Sequence, residues 1–317
     1  MLSFLSQRFG VMALTAVCLT FIVFTLVNLQ PNLEKLAKEQ NNMRMSDQAV
    51  TVWLQEEGFN RPLVTRYSEW LFGVVRGDLG QSTRFRAPVN EILWERLALT
   101  GILMFWVMVV MVPASLLVGV LAGMREGTFQ DRSLSTFAIA TTATPEYVSG
   151  VILTVIFASK VVGLEWFSGS ATKAMEGATL YNFGLPVLTM ALYGMGYIAR
   201  MTRASMAEVM TAQYIRTARL KGVSFRNIVI KHALRNALIA PFTVIMLQFP
   251  WLLTGVVIVE NLFNYKGFGW LLVEAASNND IDLLLSCSIV AVIVVLATQL
   301  ISDIGYVYLN PRIRVSA

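Results

Sequence analysis

This sequence predicts an all-α protein, a bundle of six membrane-spanning helices, and three observations carry the prediction. Hydrophobic residues make up 56% of the 317 positions and charged residues only 14%, and mean hydropathy is +0.60, far outside the range of soluble domains. Apolar runs of about 20 residues recur along the chain, the length that crosses a hydrocarbon core. Between two of these runs lies one long basic segment, Arg200 to Pro241, of the kind that marks a cytoplasmic face.

The first span runs from Val11 to Leu29, behind a short leader carrying Arg8. The residues after it, LVNLQPN, lack a small-x-small cleavage site, so an uncleaved span is expected rather than a signal peptide. Gln30 to Leu97 is polar and balanced, with nine basic and nine acidic residues. Its start reads as helix, and its end, with RGDLGQS and Pro88, as a turn-rich return to the membrane. The second span is Ala98 to Gly123, with Pro113 tolerated because neighbouring helices re-satisfy the freed carbonyl. The loop MREGTFQDR leads to a third span, Ser133 to Val162, with Pro145 and Glu146 inside it. Gly163 to Thr179 is a short loop with an interfacial Trp166. The fourth span is Leu180 to Ala199, the fifth Ala237 to Phe263 with Pro241 and Pro250, and the sixth Leu283 to Val307. The chain thus divides into residues 1–97, a first span plus a long outer loop, and residues 98–317, a five-helix core with a cytoplasmic loop at about 200–236.

Six spans place both termini on one side, and the basic residues say which. The terminal side holds thirteen: Arg8, Arg125, Arg132, eight in the basic segment, Arg312 and Arg314. The two short opposite loops hold only Lys173 and Lys266. Both termini are expected in the cytoplasm. The net charge of +5 is therefore a topology signal and not a nucleic-acid footprint. Cys18 and Cys287 both fall inside spans, so neither a disulfide framework nor a redox motif is expected.

From Arg200 to Asn236 the basic segment carries eight cations and one acid, Glu208. Met206, Val209, Met210 and Ile215 continue the helix of the fourth span. Gly222 followed by Ser224 reads as a C-cap and a new N-cap, so two short helices meet at a turn. In the second, Phe225, Ile228, Val229 and His232 share a face at a 3.6-residue period. A loop that only fixed topology needs no such pattern. An amphipathic helix pair at the membrane surface suits docking into a groove on a soluble partner.

YIRTARLKGVSFRNIVIKHALRNALIAP resembles the cytoplasmic signature loop of binding-protein-dependent ABC importer permeases of the dipeptide/oligopeptide class. That loop's short consensus is Glu-Ala-Ala, three residues, then Gly. Aligned on Gly222, Arg216, Thr217 and Ala218 take the first three places, and the Glu is absent. RYSEWLFGVVRGDLGQS, VIVENLFNYKGFGWLLVEAASNNDIDLL and LNPRIR are similar to further elements of the class, in order, over nearly the whole chain. The resemblance implies a type I importer permease fold, half of a channel in a bacterial inner membrane. It implies a second homologous permease, two ATPase subunits and a periplasmic substrate-binding protein as partners. It also implies that Tyr214, Ile215, Arg216, Thr217, Ala218, Arg219, Lys221 and Gly222 form the element coupled to the ATPase, Tyr214 and Ile215 anchoring in its cleft. ATP and Mg belong to the partners, and this chain is expected to hold no cofactor and no metal.

Among intramembrane residues, Glu146, Gln248, Trp251 and Glu260 are candidates for the pathway or its gate. An ionisable group in a span is a functional hypothesis by default. For Glu146 the competing reading, a structural partner for a loop arginine, is preferred; Glu260 suits a fixed gate element. Trp251, Met190, Met195 and Met246 equally suit helix packing. The chain has one His, no ligand-spaced His/Asp/Glu/Cys cluster, no G-x-S-x-G and no GxxxxGK[ST] loop, so an enzyme reading has no catalytic residues to rest on. A secondary transporter would show inverted repeats, and none is evident. A scaffold would not need two prolines and polar residues in the fifth span. Peptides are the expected substrate, with nickel complexes, glutathione, opines or oligosaccharides as alternatives within the same machinery.

Overall fold

The computed structural model describes residues 2–160 and 164–309. The helices, in order, are α1 (Leu2–Val27), α2 (Gln30–Gln40), α3 (Asp47–Glu56) and α4 (Leu63–Val75). A two-stranded hairpin, β1 (Gln81–Ser82) and β2 (Ala87–Pro88), leads into α5 (Val89–Gly123), α6 (Phe129–Ala143), α7 (Glu146–Phe157) and α8 (Leu180–Met210). The basic segment holds α9 (Gln213–Leu220), α10 (Phe225–Asn227), a π-helical turn (Ile228–Ala233) and α11 (Leu234–Ala237). Then follow α12 (Ile239–Leu262), α13 (Phe268–Ser277) and α14 (Ile281–Leu309).

Three helices, α1, α5 and α14, are long and apolar enough to cross a membrane alone. Among the described residues two bent helix pairs also pass by length and composition, each as a broken span or a re-entrant loop: α6 with α7, bent by 108°, and Phe225–Ala237 with Ile239–Leu253, bent by 51°. The break in the third predicted span corrects the expectation of one continuous helix. Pro145 disfavours helical backbone at the residue before it, and Thr144 accordingly takes φ −90°, ψ 120°. Val161 and Val162, at the end of that predicted span, lie outside the described residues, as do Gly163, Arg312 and Arg314.

The fourth predicted span is the first two-thirds of α8, which is less apolar than the others. It is buried by protein instead: Phe183, Leu185, Val187, Met190, Ala191, Met195, Ile198 and Ala199 are all covered. A helix enclosed by helices meets little lipid, so small and polar residues serve there as well as leucine. Its start is fixed by a capping box between Thr179 and Asn182.

The chain forms two compact units, residues 1–99 with 266–296 and residues 100–265 with 297–317. In the first, the polar segment after α1 folds into α2–α4 around an aromatic cluster. Tyr67 meets Phe21 and Phe24 edge-on at 5.1 and 5.5 Å, and Thr20 Oγ1 and the Tyr67 hydroxyl are 2.8 Å apart. Leu33, Leu36, Val50, Leu54, Ile281 and Leu285 complete this core. Buried Asp280 accepts from Ser82 Oγ at 2.5 Å and the Arg84 N–H at 3.1 Å, pinning the hairpin.

In the second unit, α8 packs against α6, α7 and α12. Gly119 and Gly123 let α5 approach α8 backbone-to-backbone: a Cβ on Gly119 would strike Ala199 and Thr202, and one on Gly123 would strike Arg203 and Met206.

Candidate functional site

The basic segment is a short helix on a packed hydrophobic base. After α9 the backbone turns through Gly222 at φ +74°, a conformation glycine adopts without the Cβ clash. The Val223 N–H donates to the Ala218 carbonyl at 3.2 Å, and the Gly222 N–H donates to Arg219 at 3.0 Å. This is the paired closure of a Schellman motif, so the expected C-cap is present. Ser224 takes the expected N-cap position of α10, although its side chain makes no capping bond.

Beneath α9, Ile215 and Ala218 pack with Met206, Met210, Ile228, Val229, Ala233 and Ala237, flanked by Val120 and Met124. Ile215 is 0% exposed. It is thus an internal anchor of the segment, not the partner-facing anchor that its neighbourhood in the resemblance implied. Tyr214 remains 42% exposed, and its hydroxyl accepts from Asn236 Nδ2 at 2.9 Å. Arg216, Thr217, Arg219, Lys221 and Gly222 are exposed. Between the cations stands Leu220, 81% exposed. Sequence reasoning passed over it, since a leucine at a helix end usually reads as core. The π-helical turn changes the second helix's face. Its i→i+5 winding brings Ile228, Val229 and Ala233 inward and leaves His232 exposed.

The intramembrane candidates divide. Glu260 is 0% exposed and accepts from Thr100 Oγ1 at 2.5 Å. The Tyr265 N–H donates to the Glu260 carbonyl at 2.8 Å, and burial followed by the Glu260 charge raises the Tyr265 phenol above its ordinary range. Gln248 is buried. Trp251 is half-buried and stacks on Tyr193 with centroids 5.0 Å apart and planes at 21°. Tyr193 lies 6.2 Å from Tyr197, and the Arg200 guanidinium sits 5.2 Å over the Tyr197 ring. The two tyrosines were not legible as site residues, because their spacing on α8 is also that of a packing face.

Glu146 is the first residue of α7, half-exposed. Among the described residues no loop arginine forms an ion pair with it. Pro145 starts a new helix there, and the helix N-terminus itself favours a carboxylate. Also among the described residues, no group of three or more His, Cys, Asp or Glu is placed to hold a metal.

Residues 115–315 match the family model described as "Binding-protein-dependent transport system inner membrane component". The chain belongs to this family. It is similar to the "Probable peptide ABC transporter permease protein y4tP" of Sinorhizobium fredii, 34% identical over 278 residues, 85% of this chain and 86% of that one. It is likewise similar to the "Oligopeptide transport system permease protein AppB" of Bacillus subtilis, 31% identical over 267 residues, 82% and 84% of the two chains. Among solved structures, the inward-facing MetNI methionine ABC transporter superposes with TM-score 0.51 at 18% identity, over 68% of this chain and 93% of that chain. That likeness carries the importer permease fold. As a family member this permease is the membrane-embedded component of a binding-protein-dependent ABC importer, with substrate-binding and ATPase subunits as its partners.

Proposed function

We propose that this permease forms half of a translocation pathway for di- and oligopeptides, paired with a second, homologous permease in a bacterial inner membrane. Both termini face the cytoplasm, two ATPase subunits grip α9, and the periplasmic binding protein meets the α2–α4 loop. The observation that carries the coupling role is Leu220, exposed at the tip of a basic helix whose opposite face is locked by Ile215. A leucine rimmed by Arg216, Arg219 and Lys221 suits an apolar pocket with an acidic border.

Peptides as cargo are favoured by what the relatives are named and by the chemistry of the candidate pathway. Trp251, Tyr193, Tyr197 and Gln248 offer ring faces and hydrogen-bonding groups, with Glu146 the one acid among them. Such a lining accepts variable side chains, because it contacts backbone and size rather than charge. Glu260, closed into its bond with Thr100, suits a fixed gate element.

The test is reconstitution of the complete transporter in proteoliposomes with candidate binding proteins. Peptide-loaded binding protein is expected to stimulate ATP hydrolysis and peptide uptake. Stimulation by a nickel complex, glutathione, an opine or an oligosaccharide instead would overturn the peptide assignment and keep the importer. Trp251→Ala is expected to lower uptake while leaving ATPase assembly intact.

A further inference from the structure

The loop Met124–Thr128, between α5 and α6, touches two neighbours whose motions an importer must join. Arg203 of α8 donates through Nε to Asp131 Oδ1 at 3.0 Å and through Nη2 to Oδ2 at 2.8 Å, a two-pronged pairing that fixes orientation as well as charge. Asp131 is 3% exposed and fully occupied: the Gly127 N–H donates to it at 2.9 Å and Ser135 Oγ at 3.1 Å. Glu126 adds a second carboxylate 3.5 Å from the same Arg203 nitrogen. The loop is thereby tied to α8.

Its other contacts reach the coupling segment. Met124 packs against the cluster holding Ile215, Ala218 and Ile228. The Arg125 guanidinium lies 5.3 Å over the Phe225 ring, the first residue of α10. Just before the loop, Gly123 brings α5 against Arg203 and Met206 with no room for a side chain.

We propose that Asp131, Arg203, Arg125 and Phe225 are positioning residues for coupling: the 124–128 loop with the first turn of α6 is a strut that makes α8, α6 and the α9–α10 segment move as one body. This rests on the importer reading above. Without the strut, displacement of α9 by a partner is absorbed by local bending near Met210, where α8 ends, and does not reach the bundle. With Asp131 buried and every one of its bonds occupied, the α6–α8 end of this network has few alternative arrangements, the property that lets a packed element transmit a shift instead of dissipating it.

The test uses the reconstituted full transporter with Asp131→Asn, Phe225→Ala and the conservative Phe225→Tyr. Substrate taken up per ATP hydrolysed is measured alongside complex assembly. Asp131→Asn and Phe225→Ala are expected to assemble and hydrolyse ATP, with uptake per ATP reduced about fivefold or more, the scale of a typical coupling free energy. Phe225→Tyr, which keeps a ring under Arg125, is expected to retain the wild-type ratio. Assembled variants with an unchanged ratio overturn the strut and leave the importer standing. Uptake and hydrolysis falling together, in proportion to assembly, overturn it too, since that marks stability alone. Should Asp131→Asn not assemble, partly exposed Phe225 carries the test. A wild-type complex without substrate-stimulated hydrolysis or uptake overturns both readings.

Discussion

Ile215 and Leu220 sit five residues apart on one short helix and do opposite things. Ile215 is sealed into the base, and truncating it to alanine leaves a cavity, for which about 2–5 kcal/mol of local stability is the usual cost. Ile215→Ala is expected to increase hydrogen exchange or proteolysis across residues 206–237. Leu220→Asp removes no internal contact, so the fold is expected to melt as the wild type does while ATPase association falls by about tenfold or more, read by co-purification. Equal losses of stability in both variants would contradict the division of roles. Gly222→Ala forces a Cβ into a left-handed turn, costing about 1–2 kcal/mol, and is expected to loosen the end of α9 without unfolding the bundle. In the sequence these roles were hard to separate. A leucine and an isoleucine in a basic helix look alike until the turn at Gly222 decides which side faces the membrane. The Asp131–Arg203 pair, 72 positions apart, left no local signal at all, and Arg203 read simply as one more cation of the cytoplasmic face.

Among the elements, those declared by apolar length were legible, and those shaped by a single backbone conflict were less so. α1, α5 and α14 stand where hydropathy placed them, and the extension of α8 past its apolar part followed from Met206, Val209 and Met210. The third span broke because Pro145 imposes an extended residue before it, a local rule outweighed in the reading by the apolar run around it. The π-helical turn at Ile228–Ala233 was illegible, since a 3.6-residue period had been assumed for a stretch that winds wider. For α9 as an element, the exposed cations Arg216, Arg219 and Lys221 predict electrostatic steering towards an acidic partner surface. The association rate with the ATPase subunits is expected to fall as salt rises, and Arg216→Glu is expected to flatten that dependence. A salt-independent rate would contradict a charged docking face.

For the whole molecule, the outer helices α2–α4 and the coupling segment are predicted to lie on opposite sides of the membrane. In a chain whose Cys18 and Cys287 are replaced by alanine, a cysteine at exposed Met43 is expected to react with an impermeant thiol reagent in intact cells. One at exposed Arg226 is expected to react only after permeabilisation. The reverse pattern would invert the topology. The long apolar spans were readable because lipid imposes a length rule along the sequence; the side of the basic residues is the expectation that this labelling tests. The covering of α8 by α6, α7 and α12 was not readable, because packing between helices in lipid selects small residues and shape, and these carry no period. The most direct test of the account is a single cross-link. With the native cysteines removed, Leu220→Cys in the assembled transporter is treated with a short thiol-to-amine reagent. The account predicts one dominant product joining this chain to an ATPase subunit, lost when the subunits are dissociated beforehand. A Leu220→Cys that stays freely reactive towards small thiol reagents in an assembled, transport-competent complex, and yields no such product, would contradict α9 as the coupling element.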